Sequence, residues 1–265
     1  MAKRQGRWSG KWALVTGASA GIGRALAEEL AASSTNLVLT ARRRDRLEQL
    51  ASALGNKHGV RTEIVVADLA RPEAPGQINT FLKGKGIEIE LLVNNAGFGA
   101  YGAFHESELS RDLEMVQVNC AAVVELTRIF LPEMVARKHG DILIVASVAG
   151  YQAVPYISLY AATKAFDLNF AVGIAEEVRR HGVHVCALCP GSTTTEFREV
   201  AGQPPRTFRG AETAEKVARV ALNALAKGKS SVISGFNNRI NVEGQRLTPR
   251  RLVTRIAEGM FRPEN

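Results

Sequence analysis

The sequence predicts an α/β protein with a doubly wound, parallel, seven-stranded sheet. Short apolar runs alternate with helix-length segments from residue 12 to about residue 235. The runs show little polar alternation, as expected when helices cover both faces of a sheet. No linker-like segment interrupts the alternation. We therefore expect a single domain with right-handed crossovers.

Seven strands and five main helices follow from this pattern. The strand candidates are Trp12–Thr16, Asn36–Ala41, Thr62–Ala67, Leu91–Asn94, Asp141–Ala146, Val183–Cys189 and Ser231–Ser234. The helix candidates are Ile22–Ala32, Arg43–Leu54, Leu109–Arg137, Ile157–Arg180 and Ala214–Ala226. They define a domain over residues 11–235, with a basic N-terminal extension (1–10) and a basic amphipathic C-terminal tail (236–265).

The tail is predicted to hold one short helix, Pro249–Phe261, capped by Thr248. One of its faces carries Leu252, Val253, Ile256 and Met260. Because so short a helix is marginal alone in water, we expect this face to dock. It would dock on the active site, a partner subunit or an anionic membrane. Protein docking is preferred, since one short helix holds lipid weakly.

Composition limits the functional class. The 265 residues are 46% hydrophobic and 23% charged, with a net charge of +8. This basic balance is typical of a soluble protein and also suits an anionic partner, such as a phosphate-rich cofactor or an acidic carrier protein. Aromatic residues are only 6% of the chain and do not alternate with basic ones, so we expect no nucleic-acid binding.

The sequence predicts a cytoplasmic protein. We find no apolar stretch typical of a signal peptide or a membrane span, and we expect no membrane association.

The chain has three cysteines, Cys120, Cys186 and Cys189. A small, odd number of cysteines argues against a scaffold held by disulfides. Cys186 and Cys189 form a CxxC inside a predicted strand, so we expect them to pack in the core and to bind no metal.

A glycine-rich turn joins the first strand to the first helix. Its sequence is Gly-x-x-x-Gly-x-Gly, from Gly17 to Gly23. Backbone amides and the dipole at a helix N-terminus bind anions, and glycines let a pyrophosphate approach the backbone. The residues predicted to contact a dinucleotide here are Gly17, Ser19, Ala20, Gly21, Ile22 and Gly23.

The end of the second strand predicts the choice of cofactor. An NAD-binding protein usually places an acidic residue there for the ribose hydroxyls. This chain has Ala41 followed by Arg42 and Arg43. We therefore predict NADP(H), with Arg42 paired to the 2′-phosphate. Arg43 either adds to that contact or faces solvent.

Three residues predict proton-transfer chemistry. Ser147 follows the fifth strand, and Tyr160 and Lys164 are four residues apart on one helix face. A tyrosine with a pKa of about 10 must fall by roughly three pH units, or ~4 kcal/mol, to exchange protons near neutrality. A lysine ammonium at ~4 Å supplies about that much. Tyr160 is thus predicted to be the general acid/base.

These motifs together resemble the short-chain dehydrogenase/reductase family. The resemblance rests on the turn Thr16–Gly23, on Asn94-Asn95-Ala96-Gly97, on Ser147, Tyr160 and Lys164, and on Pro190-Gly191, and it covers about residues 10 to 235. It implies a Rossmann fold and an NADP-dependent oxidoreductase that interconverts a carbonyl and a secondary alcohol. It also implies a homodimer or homotetramer and a small-molecule substrate.

The resemblance also implies residue roles. The implied catalytic residues are Asn119, Ser147, Tyr160 and Lys164, with Asn119 holding a helix distortion. The implied cofactor contacts beyond the glycine turn and the arginines are Asp68, Leu69, Asn95, Ala96, Gly97, Tyr160, Lys164, Pro190, Gly191, Thr193 and Thr195. Either Thr193 or Thr195 would contact the carboxamide.

The substrate is left open by the sequence. Residues 196–210 are predicted to form a lid over the site, in which Phe197, Phe208 and Pro204-Pro205 suggest a partly apolar pocket. Arg198, Arg206 and Arg209 are candidates for binding an anionic group, or belong to a solvated loop. One alternative function is a 3-oxoacyl-type reductase acting on carrier-linked or lipid-like substrates. A non-catalytic nucleotide-binding regulator is the other.

Overall fold

The computed structural model describes residues 6–205 and 210–263. Its main sheet has seven parallel strands in the order β3-β2-β1-β4-β5-β6-β9. The strands are β1 Trp12–Thr16, β2 Asn36–Ala41, β3 Thr62–Val66, β4 Ile89–Asn94, β5 Gly140–Val145, β6 Val183–Cys189 and β9 Ser231–Ile233. A separate parallel pair joins β7 Thr193–Thr194 to β8 Glu212–Thr213. The predicted doubly wound, seven-stranded sheet is confirmed.

Helices cover both faces of the sheet. They are α1 Gly21–Ala32, α2 Arg44–His58, α3 Ala74–Gly84, α4 Leu109–Val116, α5 Ala122–Arg137, α6 Ser158–Val178, α7 Phe197–Ala201, α8 Ala214–Ala226, α9 Phe236–Gln245 and α10 Arg250–Phe261. Helices α1, α2 and α8 bury apolar side chains on one face. Helices α3, α5 and α6 do so on the other.

The predicted helix Leu109–Arg137 is divided in two. A π-helical turn, Gln117–Ala121, separates α4 from α5. By length and composition this stretch could span a membrane, although the sequence analysis expected no such segment. In the structure α5 packs against β4 and β5, and Leu126, Phe130 and Met134 are buried in the core. The apolar content of α5 is thus used within the fold.

Helices α3, α7 and α9 were not predicted. The sequence of α3 begins Ala-Pro-Gly and that of α9 holds three asparagines and a glycine, residues that usually indicate turns. Proline is tolerated in a first helical turn, where its missing N–H is not needed. In α10 the helix starts at Arg250, because Pro249 has an extended backbone and serves as the N-cap.

Part of the N-terminal segment packs against the domain. Trp8 is buried with α1 and α2, and its indole Nε1 donates to Asp141 Oδ2 at 2.7 Å. Arg7 donates to both oxygens of the same carboxylate, at 2.9 and 3.1 Å. His184 Nδ1 lies 3.2 Å from Asp141 Oδ1. This cluster ties residues before β1 to β5 and β6.

The C-terminal helix docks beside the cavity, one of the expected places, but mainly through Ala257 and Phe261 instead of the predicted apolar face. Ala257 is buried against a small cluster that includes Ala149, Val154, Ile157 and Ala161, and Phe261 packs beside it. Tyr101 Oη donates to the Phe261 carbonyl at 2.8 Å. The large side chains of Leu252, Ile256 and Met260 are exposed. The sequence pattern predicted that the larger side chains would be buried, but the close contact with the domain is made by Ala257.

Candidate active site

A cavity of about 440 Å³ opens at the carboxyl ends of the strands. In a doubly wound sheet ligands bind where the strand order reverses, here between β1 and β4. The predicted site residues that line the cavity are Gly17, Ser19, Ala20, Gly21, Ile22, Arg42, Arg43, Asp68, Leu69, Asn95, Ala96, Gly97, Ser147, Tyr160, Lys164, Pro190, Gly191, Thr193 and Thr195. Gly23 and Asn119 do not line the cavity. Each contacts a residue that does: Gly23 lies against Gly17, and Asn119 bonds the backbone of Phe98.

The glycine turn is held against the end of β4. Gly17 has a φ of +66°, and a Cβ there would lie 2.8 Å from Asn95 Nδ2. That amide donates to the Thr16 carbonyl at 2.8 Å. A Cβ on Gly23 would lie 2.4 Å from the Gly17 oxygen. Side chains are therefore excluded at both positions, and the turn leaves its backbone open to a pyrophosphate.

The two arginines at the end of β2 take different directions. Arg43 donates through Nε and Nη2 to Ser19 Oγ, at 3.3 and 3.1 Å. Arg42 extends toward Glu114, with 3.6 Å between Nη1 and Oε1. Both arginines line the cavity. A guanidinium and a hydroxyl beside the glycine turn suit a phosphate, so these residues fit an NADP-type dinucleotide.

Arg43 also reaches the segment that precedes α7. Its Nη1 donates to Glu196 Oε2 at 2.9 Å, and Arg46 donates to the other oxygen. Arg46 and Arg43 hold the pKa of Glu196 below its ordinary value. Glu196 and its neighbour Phe197 both line the cavity. The end of β2 is thereby linked to the start of the predicted lid.

Ser147 and Tyr160 lie at the opposite end of the cavity. Ser147 follows β5, and its Oγ accepts from Ala149 N at 3.1 Å. Tyr160 is in the first turn of α6, where its ring centroid is 5.2 Å from that of Phe197. Burial raises the pKa of Tyr160 more than Lys164 and Ser147 lower it. The structure therefore opposes the predicted downward shift.

Asp167 explains why Lys164 does not lower the pKa of Tyr160 further. The ammonium of Lys164 donates to Asp167 Oδ2 at 2.9 Å and to the Val145 carbonyl at 2.8 Å. Both partners of this ion pair are buried. The carboxylate offsets part of the lysine's charge, and it also raises the pKa of Tyr160. The sequence analysis missed Asp167.

Asn119 occupies the centre of the π-helical turn. Its Oδ1 accepts from Phe98 N at 3.1 Å, and its Nδ2 donates to the Phe98 carbonyl at 2.9 Å. The same Nδ2 donates to Thr163 Oγ1 at 3.0 Å. Asn119 thus joins the helix distortion to α6, three residues after Tyr160.

The end of the cavity near Tyr160 is mostly apolar. It is lined by Phe98, Val148, Ile157, Phe197, Val200 and Phe261. Phe261 comes from α10 and was not predicted to line the cavity. Its local sequence gives no sign that it lies near Gly97 and Tyr160, which are distant in the chain. Of the predicted lid, Arg206, Phe208 and Arg209 lie outside the described residues.

The cysteines are reduced. Cys186 and Cys189 are buried and free, as predicted, and burial raises their pKa values to about 12 and about 11. Thiols with pKa values this high are poor nucleophiles and poor metal ligands. Within residues 6–205 and 210–263 no group of histidine, cysteine, aspartate and glutamate side chains is arranged to hold a metal.

Fold and site together define a dinucleotide-dependent oxidoreductase. Residues 11–205 match the family model for short chain dehydrogenases. The chain belongs to the short chain dehydrogenase family.

Its relatives include reductases and dehydrogenases. The chain is 37% identical over 195 residues to very-long-chain 3-oxoacyl-CoA reductase-B of Danio rerio, which covers 72% of this chain and 62% of the relative. The chain thus spans about three fifths of the length of that relative. A short-chain dehydrogenase from Sphingobium yanoikuyae, solved in complex with NADPH, has a TM-score of 0.82 at 30% identity, covering 92% of this chain and 95% of the other. A 7beta-hydroxysteroid dehydrogenase has a TM-score of 0.86 at 26% identity, with 97% and 99% covered.

Proposed function

We propose that the chain is an NADPH-dependent reductase that converts a carbonyl into a secondary alcohol, with Tyr160 as the general acid. The observation that carries this proposal is the grouping of Ser147, Tyr160 and Lys164 on one cavity with Ser19 and Arg43. When bound, NADPH supplies the hydride. The NADPH complex of the Sphingobium yanoikuyae relative supports this choice of cofactor.

The protein's own residues orient the substrate and deliver the proton. Ser147 donates a hydrogen bond to the carbonyl oxygen, and Tyr160 transfers its phenolic proton to the same oxygen as negative charge develops there. Lys164 stabilises the resulting phenolate. Because burial raises the pKa of Tyr160, the phenol is protonated at neutral pH, which is the form that reduction requires.

For the substrate we propose a 3-oxoacyl thioester with an apolar acyl chain. Two observations favour it over a sugar or another polar ketone. The substrate end of the cavity is lined by Phe98, Ile157, Phe197 and Phe261, which suit an alkyl chain. The Danio rerio relative is named as a reductase of such thioesters.

Turnover of Tyr160→Phe tests the assignment. We expect this variant to retain NADPH binding and to lose kcat by about 10²–10⁴-fold. Oxidation of NADPH is followed by absorbance with 3-oxoacyl-CoA thioesters of increasing chain length, a ketosteroid and a ketose. Near-normal turnover in Tyr160→Phe would refute the role of Tyr160. A wild-type protein that reduces the ketose faster than the thioesters would refute the substrate class alone.

A further inference from the structure

The last two helices leave large apolar side chains uncovered. Phe236 is 78% exposed and Leu247 is 92% exposed, and Leu252, Ile256 and Met260 are between 49% and 59% exposed. Exposed residues of this kind are ordinary when single, but a group of them marks an interaction site. We call the exposed side chains Phe236, Ile240, Leu247, Leu252, Ile256 and Met260 the tail surface.

The geometry of α10 separates an inner face from an outer one. Ala257 and Phe261 are four residues apart and contact the domain. Leu252, Ile256 and Met260 also follow one another at intervals of four, on a face that points away from it. In α9, Phe236 and Ile240 are one turn apart and both exposed. The docking that buries the inner face thus leaves the outer stripe uncovered by any of the residues that the structure describes.

The tail surface is strongly basic. Residues 236–263 contain six arginines and two glutamates. Both glutamates are already paired, Glu243 with Arg246 at 3.0 Å and Glu258 with Arg262 at 2.8 Å. Arg251 and Arg255, which flank the outer stripe of α10, make no ion pair with any described residue. Long arginine side chains can lie along an apolar surface and keep their charge in the polar layer beside it.

We propose that the tail surface docks on an anionic lipid bilayer. An apolar stripe bordered by arginines is the pattern of a helix that lies in the membrane interface. A second copy of this chain fits less well, because a two-fold contact uses the same surface on both subunits and would bring two basic surfaces together. The objection that one short helix binds lipid weakly is met by charge, because Arg251 and Arg255 add an attraction to anionic headgroups to the burial of the outer stripe.

This docking would place the substrate entrance at the lipid. Phe261, at the end of α10, lines the cavity, and Asn238 of α9 lies so close to Gly191 that a Cβ there would be 2.3 Å from the Asn238 amide. The two helices that we assign to the membrane therefore each contact a residue of the cavity or supply one. An apolar substrate could enter from the bilayer without crossing water.

Sedimentation with vesicles tests the proposal without using turnover, so it can fail independently of the proposed function. The full chain is mixed with vesicles of phosphatidylcholine alone, or of phosphatidylcholine with phosphatidylserine, at low and high salt. We expect binding to the mixed vesicles, weakened by salt, and at least tenfold weaker binding to phosphatidylcholine alone.

Three variants separate the contributions. Leu252→Ser/Ile256→Ser/Met260→Ser removes the outer stripe and should lower the partition coefficient at least tenfold. Arg251→Gln/Arg255→Gln should lower it about fivefold for each arginine removed. Leu109→Ser/Leu113→Ser is the matched control, since these leucines are equally exposed on α4, and it should bind like the wild type. Thermal unfolding and NADPH binding verify that each variant is folded.

Three outcomes would overturn the proposal. In the first, the wild type stays in solution in the presence of the mixed vesicles. In the second, the control variant loses as much vesicle binding as the α10 variant. In the third, the α10 variant binds vesicles like the wild type but forms a smaller oligomer in solution. The last result would assign the tail surface to a second copy of this chain.

Discussion

At the scale of single residues, the main feature of the site is a buried ion pair next to Tyr160, the proposed general acid. Lys164 is held 2.9 Å from Asp167. Its ammonium therefore acts on Tyr160 together with a carboxylate of opposite charge, and burial dominates the pKa of the phenol. A tyrosine kept protonated in this way suits reduction better than oxidation.

Replacing Asp167 by asparagine should move the pH dependence of reduction. Asp167 raises the pKa of Tyr160, so removing its charge lowers that pKa. Reduction needs the protonated phenol, and the rate falls as the pH rises through this pKa. The alkaline limb of the kcat profile should therefore shift to lower pH in Asp167→Asn. Asp167→Glu, which keeps the charge, should retain the wild-type limb. An unmoved limb in Asp167→Asn would show that the ion pair is only structural.

Cofactor preference is also a matter of individual residues. We expect Arg43→Met to lower kcat/KM for NADPH relative to NADH by one to two orders of magnitude, since a charge-assisted hydrogen bond contributes about 1.5–3 kcal/mol. Arg42→Met should have a smaller effect, because Arg42 faces Glu114. Steady-state kinetics with both cofactors measure the ratio. Glu196→Gln controls for the lost contact to the lid. Equal effects of the two arginine variants would contradict this assignment.

At the scale of elements, α10 completes the substrate cavity. Phe261→Ala should remove part of the apolar wall and lower kcat/KM for a 3-oxoacyl-CoA thioester about tenfold, within the range for lost apolar contacts in a pocket. KM for NADPH should not change, because Phe261 packs with the cluster around Ile157 and Ala161, whereas the proposed phosphate contact is made by Ser19 and Arg43. Met260→Ala is the matched control, since Met260 is exposed on the same helix. If the two variants have the same kinetics, Phe261 does not contact the substrate.

Elements with a strong local pattern could be predicted, and those that depend on distant contacts could not. The strands were found because each is a continuous apolar run, and Tyr160 and Lys164 because helical spacing puts them on one face. Asp167 follows Lys164 on that face, but an acidic residue in a helix is ordinarily solvated. Glu196 pairs with arginines about 150 residues away, and no local sequence feature indicates such a contact.

The predictions for the π-helical turn and for the docking of α10 were wrong for a different reason. Residues 117–121 contain no glycine or proline that would mark a break, and a single π turn leaves the chain helical, so Leu109–Arg137 was predicted as one helix. In α10 the buried residue is Ala257, which carries little hydrophobic signal. Close packing favours a small side chain there, and the larger leucine, isoleucine and methionine gave the misleading pattern.

At the scale of the whole molecule, the cluster around Asp141 stabilises the fold by joining Trp8 to β5. Asp141→Asn keeps one acceptor oxygen but places an amide against Arg7, which donates to both carboxylate oxygens. We expect a loss of about 1–3 kcal/mol in the free energy of unfolding, and a Tm lower by about 2–4 °C for each kcal/mol. Urea and thermal unfolding measure these values. Glu176→Gln, at an exposed ion pair with Arg179, is the control and should leave Tm nearly unchanged. Equal stabilities of the two variants would refute this role of Asp141.

The contact between Tyr101 and Phe261 has a consequence for the order in which the protein becomes competent during its synthesis. The glycine turn, Arg43 and the proposed catalytic residues lie before residue 165, and the remaining implied cofactor contacts, Pro190 to Thr195, also precede α10. Tyr101 can donate its hydrogen bond to the Phe261 carbonyl, 160 residues further on, only after α10 has been made. All of the proposed nucleotide contacts are therefore translated before the helix that supplies the last wall of the cavity.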